Sequence, residues 1–306
     1  MTKPGSVAER WLLAAVVGVV AATTVGCGDD NPPTVDPTPS AGTSIGPGSR
    51  YVALGDSYAA GPELGVDTGS TGCAQTAGNY AHLLAEQLEL DLVDVSCGGA
   101  DSSALTEEHK PVNGPAVPPQ LDAVTSDTRL VTLTIGGNDR QIFNRLVTTC
   151  IGLGVKDPDG APCTELVKEF DVPLKDQIEM IADRIDDAVA EIAERAPRAR
   201  VVVIGYPQVF PARGTCDQLA LAKGDYPLAH AIVEQMVRAQ RDGAKRGGAE
   251  FLDLTDVMAG HDMCSKDPWI AGAAPERDAL PYHPYAEEQD AVADLLEKLV
   301  SSPRGS

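Results

Sequence analysis

The chain has 306 residues, 43% of them hydrophobic and 23% charged, with a formal charge of −21 at pH 7. A chain this acidic repels nucleic acid and gains nothing from anionic lipid headgroups, so both are excluded as partners and the surplus is read as solubility.

Residues 1–10 carry Lys3 and Arg10, and residues 11–26 are uncharged and mostly apolar. That run is roughly 16 residues, short of the ~20 a spanning helix needs. A basic start, a short apolar core and a small-residue end make residues 1–26 an export signal. Thr24-Val25-Gly26-Cys27 resembles a bacterial lipobox, in which Cys27 becomes the lipidated amino terminus and anchors the protein to the outer face of the cell membrane. Thr24 stands where Leu is usual, and the alternative is ordinary cleavage and free secretion. Residues 27–49 follow, rich in Pro, Gly, Ser and Thr, and are expected to be a flexible tether. Within them Gly42-Thr43-Ser44-Ile45-Gly46 matches a Gly-x-Ser-x-Gly elbow, but no strand feeds in and no helix leads out, so the match is chance.

Residues 50–302 form one domain of about 250 residues, long enough for a real core. Strand-like apolar runs fall at 51–54, 90–95, 130–135, 201–206 and 250–254. Helical periodicity falls between them. The clearest case runs over Leu174–Arg195, with Ile178, Ile181, Ile185, Val189 and Ile192 on one face. A second helix begins near Asp225 and carries Leu228, Ile232, Val233 and Val237, and a last one covers 285–300. Strands alternating with helices predict an α/β three-layer sandwich with a central parallel sheet of about five strands. The Gly- and Pro-rich stretch 152–163 is expected to be a loop over the sheet edge.

Six cysteines remain after Cys27, an even number that outside the cytoplasm can form three bridges. Fifteen connectivities are open. The pairing chosen is Cys73–Cys97, Cys150–Cys163 and Cys216–Cys264, each pair adjacent in order and lying in a loop. No Cys-x-x-Cys spacing supports a zinc site.

The chemistry gathers in three clusters. Gly55-Asp56-Ser57-Tyr58 follows the first strand, Gly136-Gly137-Asn138-Asp139 follows the third, and Tyr282-His283-Pro284 lies near the carboxyl end. A parallel sheet assembles its site at the carboxyl ends of its strands. Ser57 is a poor nucleophile unless a base takes its proton. Asn138 can turn its amide toward a developing oxyanion, a donor worth ~2.7–4 kcal/mol in comparable sites. Gly99, after the second strand, offers a backbone N–H without side-chain obstruction. His82, His109, His230 and His261 sit in helical or polar loop contexts and are read as structural or solvated, whereas His283 precedes Pro284 and the last helix, opposite the strand ends, and is the expected base.

With Cys97-Gly98-Gly99-Ala100 added, these blocks occur in order and resemble a bacterial GDSL esterase or lipase of the SGNH hydrolase superfamily, near the secreted actinomycete members. The resemblance implies a flavodoxin-like fold, Ser57 as nucleophile, His283 as base, and an oxyanion hole from the N–H groups of Ser57 and Gly99 and the amide of Asn138. It also suggests three disulfides in the order chosen above. A monomer is expected, and the chemistry implies no metal or organic cofactor. The family usually places Asp three residues before the histidine, where this chain has Leu280. The Leu280 carbonyl is therefore expected to hold the imidazole, with Asp278 as the competitor. The expected activity is hydrolysis of acyl esters through an acyl-enzyme on Ser57. Four Phe and two Trp favour modest chain lengths. The alternatives are an envelope glycan O-deacetylase and a non-catalytic binding lipoprotein.

Overall fold

The computed structural model describes residues 44–69 and 71–302. The export signal, Cys27 and most of the tether lie outside the described residues. Five strands form one parallel sheet in the order β2-β1-β3-β4-β5. They are β1 (Arg50–Gly55), β2 (Asp91–Asp94), β3 (Thr128–Thr134), β4 (Arg200–Ile204) and β5 (Glu250–Leu252). Each expected run therefore overlaps a strand. β1 is apolar without alternation because it is covered on both faces, and Tyr51, Val52, Ala53 and Leu54 are all fully buried.

The principal helices are α1 (Ser57–Ala60), α2 (Tyr80–Leu88), α3 (Leu174–Arg195), α4 (Tyr226–Gly247) and α5 (Ala286–Ser301). α3 packs on α4, and α2 packs on α5. The chain moves one way from β1 to β2 and the other way from β3 onward. Right-handed crossovers in opposite directions place the two helix pairs on opposite faces. In α3 the isoleucine-rich stripe is buried as the spacing predicts, and Gly243 of α4 lets that helix approach the Ala182 carbonyl of α3. Among the described residues no helix is long and apolar enough to cross a membrane.

Two expectations change. Stretch 152–163 is not a plain loop. Ile151–Gly154 ends a helical segment that starts at Ile142–Arg145 and passes through a π turn at Leu146–Cys150. Pro162–Leu166 then starts another short helix with Pro in its first turn, where a missing N–H costs nothing. The Asp225 carboxylate accepts the N–H groups of Cys163 and Thr164 at 2.9 and 2.8 Å, which fixes that start. Secondly, the folded body takes in residues 44–49, assigned above to the tether. Ile45 packs on the core, and the Gly48 N–H donates to the Glu89 carbonyl at 2.8 Å. One apolar side chain and two main-chain bonds are the reason, the second from the Asp91 N–H to the Ser49 carbonyl at 3.0 Å. The three expected disulfides are formed.

Glu288, in the first turn of α5, is 2% exposed, and its carboxylate accepts the Gln289 amide at 2.7 Å. Burial pushes its carboxyl up from 4.5 to about 8, against the lowering effect of that amide. The folded state thus binds this proton more tightly than the unfolded chain. The stability so gained is present below pH 4.5 and is lost as pH rises through about 8. Glu288→Gln removes the titration and keeps an acceptor for Gln289. The melting temperature of the variant minus that of the wild type is expected to grow from pH 5 to pH 9. A difference that stays constant across that range contradicts the assignment.

Candidate active site

β1 ends at Gly55, whose φ is +146°, and a Cβ there would stand 2.4 Å from the Thr134 carbonyl oxygen. Only glycine lets the chain turn out of the sheet so close to β3. Asp56 then caps α1, its Oδ1 accepting the Tyr58 N–H at 2.9 Å. Ser57 is the first residue of that helix, so its own N–H has no intrahelical acceptor and is free for a ligand. Its side chain opens into a cleft of ≈ 440 Å³ at the carboxyl ends of the strands.

His283 reaches the same point from the other end of the chain. Its Nε2 lies 2.8 Å from Ser57 Oγ. Its Nδ1 lies 2.8 Å from the Pro281 carbonyl oxygen. A carbonyl can only accept, so Nδ1 carries the proton and the bare Nε2 accepts the serine hydroxyl. The expected partner, Leu280, is thus corrected by one residue. Leu280, Pro281, Tyr282 and His283 make a type II turn, with Pro at the second position and Tyr282 left-handed at φ 65°. The turn uses the Leu280 carbonyl to accept the His283 N–H at 3.1 Å, which leaves the Pro281 carbonyl for the ring. Asp278 is exposed and makes no hydrogen bond with the imidazole. Burial pushes the His283 pKa from 6.5 down to about 4, only partly offset by the Pro281 carbonyl.

The other candidates converge there. Gly99 lines the cleft at φ 79°, and its N–H has no acceptor among the described residues. Asn138 lines it too. One amide hydrogen goes to the Ala100 carbonyl at 2.9 Å, which leaves the second for the cleft. Asp139 ties the two turns together, accepting the Ser102 N–H and hydroxyl, both at 2.7 Å. The Cys73–Cys97 bridge and a 2.8 Å bond from the Gly98 N–H to the Cys73 carbonyl hold the glycine turn. None of His82, His109, His230 and His261 lines the cleft, and Ser44 of the chance elbow is exposed away from it.

Several supporting residues escaped the sequence reading. The Tyr206 hydroxyl donates to the Asp56 carboxylate and accepts the Gly137 N–H at 2.7 Å, so it spans the Ser57 turn and the Asn138 turn. Burial pushes the Asp56 carboxyl up to about 7, against the hydrogen bonds from Tyr206 and the Tyr58 N–H. Gln120 pairs with both backbone groups of Gly55 at 2.8 Å. The Tyr58 hydroxyl donates to the Tyr282 carbonyl at 2.8 Å, and its ring lies 5.3 Å from the imidazole. Phe143, Val147, Val209, Val233 and Met236 give the cleft an apolar wall. Tyr206 lies in a recognisable strand exit, Val203-Ile204-Gly205-Tyr206-Pro207. The lone glutamines and the wall carry no local signal.

This arrangement has a hydroxyl bonded to a neutral imidazole, three free donors lining one cleft and an apolar groove, which are the parts needed for acyl transfer. The model of the GDSL-like Lipase/Acylhydrolase family matches residues 53–290. Lipase 2 of Streptomyces coelicolor is 36% identical over 304 residues, covering 96% of this chain and 97% of that protein. The crystal structure of an extracellular lipase from Streptomyces rimosus aligns with a TM-score of 0.66 at 27% identity, over 82% of this chain and 99% of that one. Phospholipase A1 from Streptomyces albidoflavus gives a TM-score of 0.64 at 27% identity, with the same coverage. The chain belongs to the GDSL-like lipase/acylhydrolase family and is a carboxylic ester hydrolase.

The Tyr58–Tyr282 bond joins the residue after the serine to the residue before the histidine. Tyr58→Phe removes one hydrogen bond and leaves the ring, so kcat should fall about three- to tenfold with KM little changed. Steady-state kinetics on a soluble ester decide it. A change confined to KM would mean that Tyr58 contacts substrate and does not position the imidazole.

Proposed function

We propose that this chain is an exported serine esterase that hydrolyses acyl esters through an acyl-enzyme on Ser57. The observation that carries the reading is the 2.8 Å approach of His283 Nε2 to Ser57 Oγ at the mouth of an apolar cleft. His283 takes the hydroxyl proton as Oγ attacks the acyl carbonyl. The oxyanion is held by the N–H groups of Ser57 and Gly99 and by the Asn138 amide. His283 protonates the departing alcohol, then takes a proton from water to release the acid. The Pro281 carbonyl holds the tautomer, so the catalytic set is a dyad. The acyl chain lies along Phe143, Val147, Val209, Val233 and Met236. A groove of this size suits short to medium chains, and its apolar wall argues against a glycan.

p-Nitrophenyl esters from two to sixteen carbons, assayed beside an acetylated glycan, test the proposal. Short to medium esters should turn over, and a fluorophosphonate should label the wild type once and Ser57→Ala not at all. Inertness to every ester with release of acetate from the glycan would make the protein a deacetylase.

Export is supported by the basic, apolar and small-residue order of residues 1–26 and by the three disulfides, which persist in oxidising compartments. Lipidation of Cys27 would hold the enzyme at the outer face of the membrane. The mature protein should then partition into detergent, and Cys27→Ala should release it or leave the precursor uncleaved. An unmodified terminus beyond Cys27 in the mass spectrum of the mature protein would end the anchoring proposal.

A further inference from the structure

We propose that Glu63 and Tyr282 make the alcohol side of the cleft a cation-selecting subsite, so that esters of ammonium-bearing alcohols are preferred over neutral ones and esters of anionic alcohols are disfavoured. The inference rests on Ser57 being the nucleophile in this cleft.

The cleft has two chemically different sides. Val209 follows β4, and Val233 and Met236 lie on α4, so the apolar wall belongs to the β4 and β5 side of the sheet. Pro62, Glu63, Gly72, Ala74, Val112 and Asn113 line the opposite side, against the Gly98-Gly99 turn that follows β2. An acyl chain on the first side sends its alcohol toward the second, past His283.

The charges on that second side all have one sign. Among the lining residues the ionisable carboxyls are Asp56 and Glu63, and no Lys or Arg lines the cleft. Asp56 is 1% exposed and committed to Tyr206 and the Tyr58 N–H. Glu63 is exposed, and its carboxylate makes no hydrogen bond or ion pair among the described residues. Lys110 and Arg140 are near in sequence to lining residues but do not line the cleft themselves. Glu63 is therefore the one solvent-facing charge in the cleft among the described residues.

Tyr282 supplies the complementary surface. It lines the same cleft, and its hydroxyl has no hydrogen-bond partner among the described residues. An aromatic ring and a carboxylate lining one cleft are the chemistry that recognises ammonium and quaternary ammonium groups. The backbone holds both side chains at some cost. Gly61, Pro62, Glu63 and Leu64 form a second type II turn, closed by the Leu64 N–H on the Gly61 carbonyl at 3.2 Å. Glu63 takes the left-handed position at φ 67°, as Tyr282 does at φ 65°. Glycine is the residue this position favours. Each turn thus keeps a functional side chain facing the cleft where local stability alone would select glycine.

The test compares butyrylcholine, its uncharged isostere 3,3-dimethylbutyl butyrate, and the anionic 2-sulfoethyl butyrate, by pH-stat at low ionic strength. The quantity read is the ratio of kcat/KM for the choline ester to that for the neutral ester. Intrinsic leaving-group reactivity cancels when this ratio is compared between enzymes. Glu63→Gln should lower it about two- to fivefold, the scale of one exposed charge pair, because the Tyr282 ring is kept. It should raise the sulfoethyl ester relative to the neutral one. Glu63→Gly, which also suits the turn, should do the same, so a folding defect in one variant does not decide the result. Added salt should shrink the wild-type preference. A ratio unchanged or raised in both variants overturns the inference while leaving ester hydrolysis standing. Failure of the wild type on all three esters would instead remove the reading on which it rests.

Discussion

At the point where β1 and β3 leave the sheet, main-chain groups lose their ladder partners inside a dry core. A buried N–H or carbonyl must be paired, so something else has to meet them. Buried side chains do this. Gln120 takes both groups of Gly55, and Gln240 joins the Ile135 carbonyl to the Tyr206 N–H. Gln289 links the Tyr80 N–H to the Tyr58 carbonyl. Tyr206 then bridges Asp56 and Gly137. The strand-end turns that carry Ser57 and Asn138 are held in this way by groups far away in sequence. Much of their hydrogen-bonding capacity is used in the core, while among the described residues the N–H groups of Ser57 and Gly99 and one hydrogen of Asn138 are left over for the cleft.

The His283 imidazole is held by different means. A carboxylate would both fix the imidazole tautomer and stabilise its charged form, whereas the neutral Pro281 carbonyl does mainly the first. Burial without a compensating charge is why the His283 pKa falls to about 4. The ring is thus kept neutral and ready to accept a proton, while its protonated form receives less support. The type II turn supplies the orientation that an acid would have supplied, and Tyr58 and the Ala271 N–H hold that turn in place.

Backbone strain in this molecule is concentrated around the cleft. Of the non-glycine residues at positive φ, Glu63, Ala74 and Tyr282 line it, and Arg140 and Gln141 directly follow Asn138-Asp139. Glu89, which caps α2, is the exception. Such conformations persist where the surroundings over-determine them. Here the disulfide at Cys73, the capped turns and the buried glutamines do so.

The strands, the isoleucine face of α3 and the order of the catalytic blocks could be read from the chain alone. Each is a local pattern: an apolar run, a three-to-four-residue spacing, or glycine beside a polar group at a strand end. The nearness of Ser57 and His283, separated by 226 positions, follows from the sheet order that such patterns imply. Which carbonyl meets Nδ1 was not legible, because it depends on how one turn spends its two available carbonyls. The helical character of 142–154 was hidden by a π turn and two glycines. The glutamine clamps and the apolar wall were invisible for a more general reason. Each residue there acts through a partner brought close only when the sheet closes, and a lone Gln or Val carries no mark of what it will face.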